Sequence, residues 1–292
     1  MDITVALGGG GARGYSHVGV LRRLEKEGYR IRAVAGTSFG GIVAALYAAG
    51  YSTDAMEEIF CRVDQAKLYS RAPGDGPALL GLVGVTHWLN ETLGERTFED
   101  LELPCALTAV DLKSGQEIIL DKDLVKDAVL ATIALPGLFP SVHMNGWELV
   151  DGGVSNPVPV SVARSLAPGL PVVAVSLAQS MGQPTHEWKM PIPNTVPRLI
   201  TERLNQLNYA RALDVYMRAM EVGSRALAEY RLVADGPELV VRPNVGQIDV
   251  LEVVDPHRMA LLGEDAVAEV LPELKRVVKW RPRFGWPFGG RK

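Results

Sequence analysis

Two glycine-rich turns, each lying between a short apolar run and a helical pattern, limit this chain more than any other feature. The first, Gly8-Gly9-Gly10-Gly11-Ala12-Arg13-Gly14, follows the apolar run Ile3 to Leu7. It precedes a helical pattern over Ser16 to Glu27, in which Val20, Leu21 and Leu24 share one face. The second, Gly36-Thr37-Ser38-Phe39-Gly40, follows Ile31 to Ala35 and precedes a small-residue helix over Gly40 to Ala49. Strand, turn, helix, repeated, is the order of a mostly parallel sheet covered by helices. Because the two turns leave neighbouring parallel strands, both are expected at the same edge of that sheet.

The remaining pattern continues this alternation. Helices are expected over Thr53 to Val63, Leu124 to Thr132, Pro159 to Leu166 and Pro256 to Lys279, and strands over Cys105 to Asp111, Gln116 to Leu120, Val172 to Leu177 and Glu238 to Arg242. Asn145-Gly146 between Val142 to Met144 and Trp147 to Val150 signals a hairpin. Thr195 to Arg231 reads as helical, with Leu213, Tyr216, Met217, Met220 and Leu227 as a core stripe. Residues 79–93, apolar and interrupted by glycine, fit either a lid over a groove or a packed helix. No internal repeat or separating linker is visible, so residues 1–279 are expected to form one domain, followed by a tail over 280–292.

The second turn is a G-x-S-x-G in strand-turn-helix context, the setting of a nucleophile elbow. There the turn lifts the Ser38 hydroxyl above the sheet, and the following helix aims its positive end at the site. In the first turn, consecutive glycines let several N–H groups converge on negative charge. A dinucleotide pyrophosphate or a tetrahedral oxyanion would fit. Gly9 to Gly14 satisfies G-x-G-x-x-G, but the second strand ends in Gly36-Thr37-Ser38 rather than in the acidic residue a dinucleotide fold places there. A glycine loop beside a serine elbow is the arrangement of an oxyanion hole beside a nucleophile. None of the five histidines, His17, His87, His143, His186 and His257, has triad-like surroundings. The best acidic partner is Asp151 in Val150-Asp151-Gly152-Gly153, where two glycines after a strand allow close approach.

These segments resemble the patatin-like phospholipase family, whose pattern is a G-G-G-x-R-G loop, a G-x-S-x-G elbow and a D-G-[GA] turn in that order. The matching residues are Gly9 to Gly14, Gly36 to Gly40 and Asp151 to Gly153, with Leu135 to Pro140 and Asn156 to Pro159 agreeing around the third. The resemblance is strong over residues 3–180 and loose beyond. It implies a three-layer α/β/α sandwich and a lipid acyl hydrolase with a Ser38-Asp151 dyad. It further implies oxyanion donors in Gly9, Gly10, Gly11 and Ala12, and supporting roles for Arg13, Gly14, Gly36, Gly40, Gly152 and Gly153. Chemistry built on a serine and backbone donors, without a His/Asp/Glu cluster of ligand spacing in the sequence, leaves neither cofactor nor metal expected. Arg13 is expected to shape the loop rather than to touch substrate. Two other readings stay open: an α/β-hydrolase esterase with a Ser38-Asp151-His257 triad, and a non-catalytic protein that binds a nucleotide or an acyl carrier.

Composition narrows the setting. Net charge is −4, so no global field draws the chain to nucleic acid or anionic lipid. Cys61 and Cys105, the only 2 cysteines, give neither a disulfide framework nor zinc spacing. With no basic leader before Ile3 and no run of the ~20 apolar residues that span a bilayer, a cytoplasmic location is expected. The tail Trp280-Arg281-Pro282-Arg283-Phe284-Gly285-Trp286-Pro287-Phe288 interleaves aromatic and basic residues. That composition suits peripheral contact with a membrane, or a tail docked on its own domain.

Overall fold

The computed structural model describes residues 1–73, 76, 78–179, 182 and 208–279. Its strands are β1 (Asp2–Leu7), β2 (Arg30–Thr37), β3 (Cys105–Asp111), β4 (Glu117–Leu120), β5 (Val142–Met144), β6 (Trp147–Asp151), β7 (Val172–Val175) and β8 (Leu239–Val241). Its α-helices, among the described residues, are α1 (Ser16–Lys26), α2 (Phe39–Ala48), α3 (Thr53–Arg62), α4 (Val83–Thr92), α5 (Val125–Thr132), α6 (Val160–Leu166), α7 (Asn208–Asp235) and α8 (Pro256–Lys279). The strands form one sheet. β8, β7, β1, β2 and β3 are mutually parallel, and β4, β5 and β6 join by antiparallel pairing. At the hairpin between β5 and β6, Met144 pairs with Trp147 across Asn145 (φ 52°) and Gly146 (φ 86°). Two positive-φ residues at the tip are what a two-residue turn of matching twist needs.

Both faces of the sheet are buried, and they are built differently. Ile3, Val5 and Leu7 of β1, Leu107 of β3, and Val173 and Val175 of β7 point into a large core shared with α1, α2, α3, α5 and α8. Their alternates Ala6, Ala35, Ala106, Val172 and Ala174 face a smaller cluster with Val160, Val162 and Ala163 of α6 and with Ala228 and Leu232 of α7. Alanine on that face lets α6 lie close to the sheet, and large aliphatic residues on the other carry most of the burial. The result is a three-layer α/β/α architecture, as expected. Most boundaries move by a residue or two from those expected; the long helix α7 runs on to Asp235, past the expected Arg231.

Two departures matter. The stripe on α7 is not core: Tyr216 is 45 % exposed, and Met217 and Met220 line a pocket instead. Leu213 and residues 195–207 lie outside what is described of side chains and backbone respectively, as does the whole 280–288 tail. Residues 83–92 form α4, with Val85 and Leu89 buried, so this part of the 79–93 segment is a packed helix.

The closest helix contact, between α1 and α8, was not read from the sequence. A Cβ added at Gly19 would stand 1.7 Å from the Ala260 carbonyl oxygen, and one at Gly263 2.0 Å from that of Ser16. Both obstacles are backbone, which cannot swing aside. Gly19→Ala is therefore expected to force α8 off α1 and to cost at least about 2 kcal/mol, as overpacking does. Gly223→Ala in α7, where a methyl meets nothing within 4 Å, is expected to be neutral or to stabilise by a few tenths to ~1 kcal/mol through helix propensity. Urea unfolding midpoints compare the two; equal midpoints would contradict the packing account.

Candidate active site

The pairing of β3 brings Ser38 and Asp151 together. β4 pairs with Leu107, Thr108, Ala109 and Val110. β2 pairs with Cys105 to Thr108, and β6 with Ala109 to Asp111. Each shares residues of β3 with β4, so both must lie on the edge opposite β4. There they run towards each other and meet end to end, Thr37 opposite Thr108 and Asp151 opposite Ala109. Ser38, the next residue after β2, therefore faces the last residue of β6. The junction is sealed by the Thr37 hydroxyl, 2.7 Å from the Thr108 hydroxyl and donating to the Asn156 carbonyl at 2.9 Å. Gly152 packs so tightly on Thr108 that a Cβ would lie 2.3 Å from its hydroxyl oxygen.

Ser38 sits at φ 54°, ψ −128°, a conformation that costs a non-glycine residue about 1–3 kcal/mol. The surroundings hold it there. Its N–H donates to Thr132 Oγ1 at 2.9 Å, and that hydroxyl donates to the Thr108 carbonyl at 2.6 Å. Its carbonyl accepts from Gly41 and Ile42 as the first turn of α2. The turn closes only around glycine: a Cβ on Gly36 would stand 2.4 Å from the Gly40 carbonyl, and one on Gly40 2.3 Å from that of Leu7. Thr108 and Thr132 carry this support, and no motif marked either.

Leu7 pairs with Gly36, so the glycine loop and the serine turn leave β1 and β2 at the same height, as the sequence order required. Gly9 lies against the serine, its ideal Cβ 3.1 Å from that of Ser38. The four loop amides are not equivalent. Gly9 N–H donates to the Pro157 carbonyl at 2.9 Å, and Ala12 N–H to that of Val250 at 2.8 Å. Gly10 and Gly11 donate to nothing among the described residues. Gly14 packs on the Phe39 ring, where a Cβ would come within 2.3 Å. His17 is buried below the loop, with Nε2 2.8 Å from the Gly8 carbonyl. Burial pushes its pKa down to about 4, so it is neutral and donates that bond.

Asp151 is buried, and burial pushes its pKa up to about 6, against the Ser38 hydroxyl and the Gly153 N–H, which both stabilise the carboxylate. Gly153 N–H donates to Oδ1 at 2.7 Å. Ser38 and Asp151 open onto a cavity of about 220 Å³, against the ~10–15 Å³ that holds one water. One wall is apolar, with Tyr15, Phe39, Phe60 and Trp88 in successive ring contact at 4.6–6.0 Å. Among the described residues no histidine lines it. His257, the third member of the triad reading, is exposed, and its Nδ1 lies 2.5 Å from the Glu57 carboxylate on α3.

The opposite side was not legible beforehand. It is built by Met217, Met220, Glu221 and Arg225 of α7 with Val250 and Leu251. Arg13 is buried there, its Nε donating to the Ile248 carbonyl at 2.6 Å and its guanidinium paired with Glu221 at 3.1 Å. Among the described residues no group of three or more His, Cys, Asp or Glu is placed to hold a metal, and no helix is long and apolar enough to cross a membrane.

The protein is thus a three-layer α/β/α protein that sets a strained serine beside a buried carboxylate and a glycine loop. Residues 5–164 match the patatin-like phospholipase family, and the chain belongs to that family. It is 29 % identical over 271 residues to an NTE family protein of Mycobacterium bovis, covering 89 % of this chain and 74 % of that one. It is 31 % identical over 173 residues to lysophospholipase NTE1 of Saccharomyces cerevisiae, covering 56 % of this chain and 10 % of that one. Among solved structures it is similar to VipD of Legionella pneumophila, with a TM-score of 0.48, 12 % identity, 93 % of this chain and 66 % of that one.

The raised pKa of Asp151 makes it a liability to the fold. Its folded value of about 6 exceeds the ordinary 3.8, so stability is full below about pH 4 and falls as pH rises to about 6. Two units correspond to roughly 3 kcal/mol. Asp151→Asn is therefore expected to raise Tm at pH 8 and to leave it nearly unchanged at pH 4. An equal or lower Tm at pH 8 would contradict a carboxylate destabilised by burial.

Proposed function

We propose that the protein is a serine acyl hydrolase of lipid esters, in which Ser38 is the nucleophile and Asp151 its base. The observation that carries this reading is the meeting of an elbow serine with a buried carboxylate in an apolar cavity flanked by two undonated glycine amides. Family membership and the likeness to a yeast lysophospholipase support a lipid ester as substrate.

In this mechanism the Asp151 carboxylate takes the Ser38 proton as Oγ attacks the ester carbonyl carbon. A pKa near 6 makes Asp151 a stronger base than an ordinary aspartate while leaving it ionised at neutral pH. The tetrahedral oxyanion is stabilised by N–H groups from the glycine loop. Of the four loop amides, those of Gly10 and Gly11 suit the task, because Gly9 and Ala12 already donate elsewhere. Collapse breaks the bond to the alcohol, which leaves with the proton from Asp151, and Ser38 holds the acyl group. Water then gives a proton to Asp151 and attacks the acyl carbon. The second collapse returns that proton to Ser38 Oγ and frees the fatty acid. The aromatic wall receives the acyl chain.

Ser38→Ala and Asp151→Asn are each expected to lower kcat on a nitrophenyl acyl ester by at least ~10³-fold, and the double variant little further, since the pair acts as one unit. A lipid panel assayed for released fatty acid, with Ser38→Ala as control, identifies the ester class. Asp151→Asn retaining more than a tenth of activity would refute the dyad.

Activity is expected to rise through a single limb near pH 6, as Asp151 ionises, and to stay level to pH 8. An exposed histidine would place a limb nearby, so kcat of His257→Ala decides the assignment. It should remain within about threefold of wild type; a well-folded variant as inactive as Ser38→Ala would restore the triad.

A further inference from the structure

We infer that Glu221 is a positioning residue for the glycine loop, setting the direction of the Gly10 and Gly11 amides through Arg13; this rests on the acyl-hydrolase reading above. Glycines 10 and 11 have no side chains to hold them, and their own N–H groups donate to nothing among the described residues. Their orientation is therefore set from the two ends of the loop. Upstream, the anchors are Gly8 N–H on the Val175 carbonyl and Gly9 N–H on that of Pro157, both at 2.9 Å. Downstream, Ala12 N–H meets the Val250 carbonyl, and Gly11, at φ 56°, has no room for a Cβ, which would lie 2.2 Å from the same oxygen.

Arg13 is the only charged side chain of the loop, and it is buried. Its Nε is spoken for by the Ile248 carbonyl at 2.6 Å and its Nη2 by Glu221 at 3.1 Å. A planar guanidinium fixed at two of its nitrogens cannot rotate. Arg13 N–H also donates to the Gly10 carbonyl at 3.3 Å, so the held side chain and the Gly10–Gly11 peptides are parts of one tight turn. Glu221 is itself steadied by Arg225, 2.7 Å away one turn along α7. Its carboxyl pKa is lowered: the Arg225 and Arg13 guanidiniums outweigh the burial that raises it. Removing this carboxylate leaves Arg13 buried without its charge partner, and the side chain must leave for water, carrying the loop with it.

The test compares Glu221→Ala and the isosteric Glu221→Gln with wild type. The readouts are kcat and KM on a soluble nitrophenyl ester, inhibition by a trifluoromethyl ketone that adds to Ser38 as a tetrahedral oxyanion, and hydrogen exchange in residues 8–15. For Glu221→Ala the expectation is a kcat fall of about 30-fold, within what loss of oxyanion alignment costs. KM should stay within about twofold, inhibitor affinity should weaken in parallel with kcat, and exchange in the loop should quicken. Glu221→Gln, which keeps one acceptor oxygen and the packing, should lose only about threefold; it carries the test if Glu221→Ala does not fold. An unchanged kcat with unchanged loop exchange, or a rise in KM alone, overturns the positioning role. If wild type neither hydrolyses esters nor labels at Ser38 with a fluorophosphonate, the acyl-hydrolase reading fails. Loop exchange in Glu221→Ala then still decides whether the clamp exists.

Discussion

The site depends on one strand edge shared by two others. β3 offers the edge opposite β4 to β2 over its first half and to β6 over its second, and those two run in opposite directions until they meet. Parallel pairing delivers a helix at the end of β2, and with it a positive helix terminus at Ser38. Antiparallel pairing delivers a carboxylate from the other side. A purely parallel sheet would line up strand ends in one direction only, and no strand would arrive facing the serine. The turn residues follow from this collision. Gly36, Gly40 and Gly152 each occupy places where a single extra carbon would touch backbone or a threonine hydroxyl.

The same collision buries a charge. Wedged between two strand ends, Asp151 is buried, and its carboxylate meets the Ser38 hydroxyl and the Gly153 N–H. Two donors do not replace hydration, so the charged form is disfavoured. Ser38 adds backbone strain to the same spot. Both costs must be met by packing elsewhere, and the large aliphatic face shared with α1, α2, α5 and α8 is where the apolar burial is concentrated. The glycine contact of α1 on α8 belongs to that supply: it closes the layer tightly and contributes no chemistry.

How much of this was legible in the sequence follows from which interactions are local. The strand-turn-helix units, the hairpin at Asn145-Gly146 and the common height of the two glycine turns are encoded within short windows, and they were readable. Arg13 was expected to shape the loop rather than to touch substrate; its side chain binds the Ile248 carbonyl and also lines the cavity. Thr108 and Thr132 were not readable, because a threonine in a strand or at a helix end looks the same whether or not a serine turn leans on it. The apolar stripe of α7 was misread as core. Periodicity shows that Met217 and Met220 share a face, but it does not tell a protein interior from the wall of a cavity. Likewise, the order Ser38, Asp151, His257 fits a triad on paper, whereas in the fold His257 is exposed and its Nδ1 meets the Glu57 carboxylate on α3.

The division between local and distant also separates two kinds of work. Residues 5–164, where the family pattern lies, supply the serine, the carboxylate and the glycine loop. None of these closes the cavity or holds the far end of the loop. Those tasks fall to α7 and to Ile248, Val250 and Leu251, well outside that span. Backbone carbonyls do much of the holding, and a carbonyl is offered by any residue type. The clasp therefore needs shape at residues 248–250 more than it needs a motif. The side-chain requirement is ionic: Arg13 and Arg225 are buried, and Glu221 is the carboxylate that both meet. A segment bound by so few side-chain requirements is free to vary in the residues that face the cavity. Met217, Met220 and Leu251 are unbranched or singly branched and adapt easily to a different occupant. Strand geometry thus sets the serine, the carboxylate and the glycine loop, and the wall across the cavity is the part that this geometry constrains least.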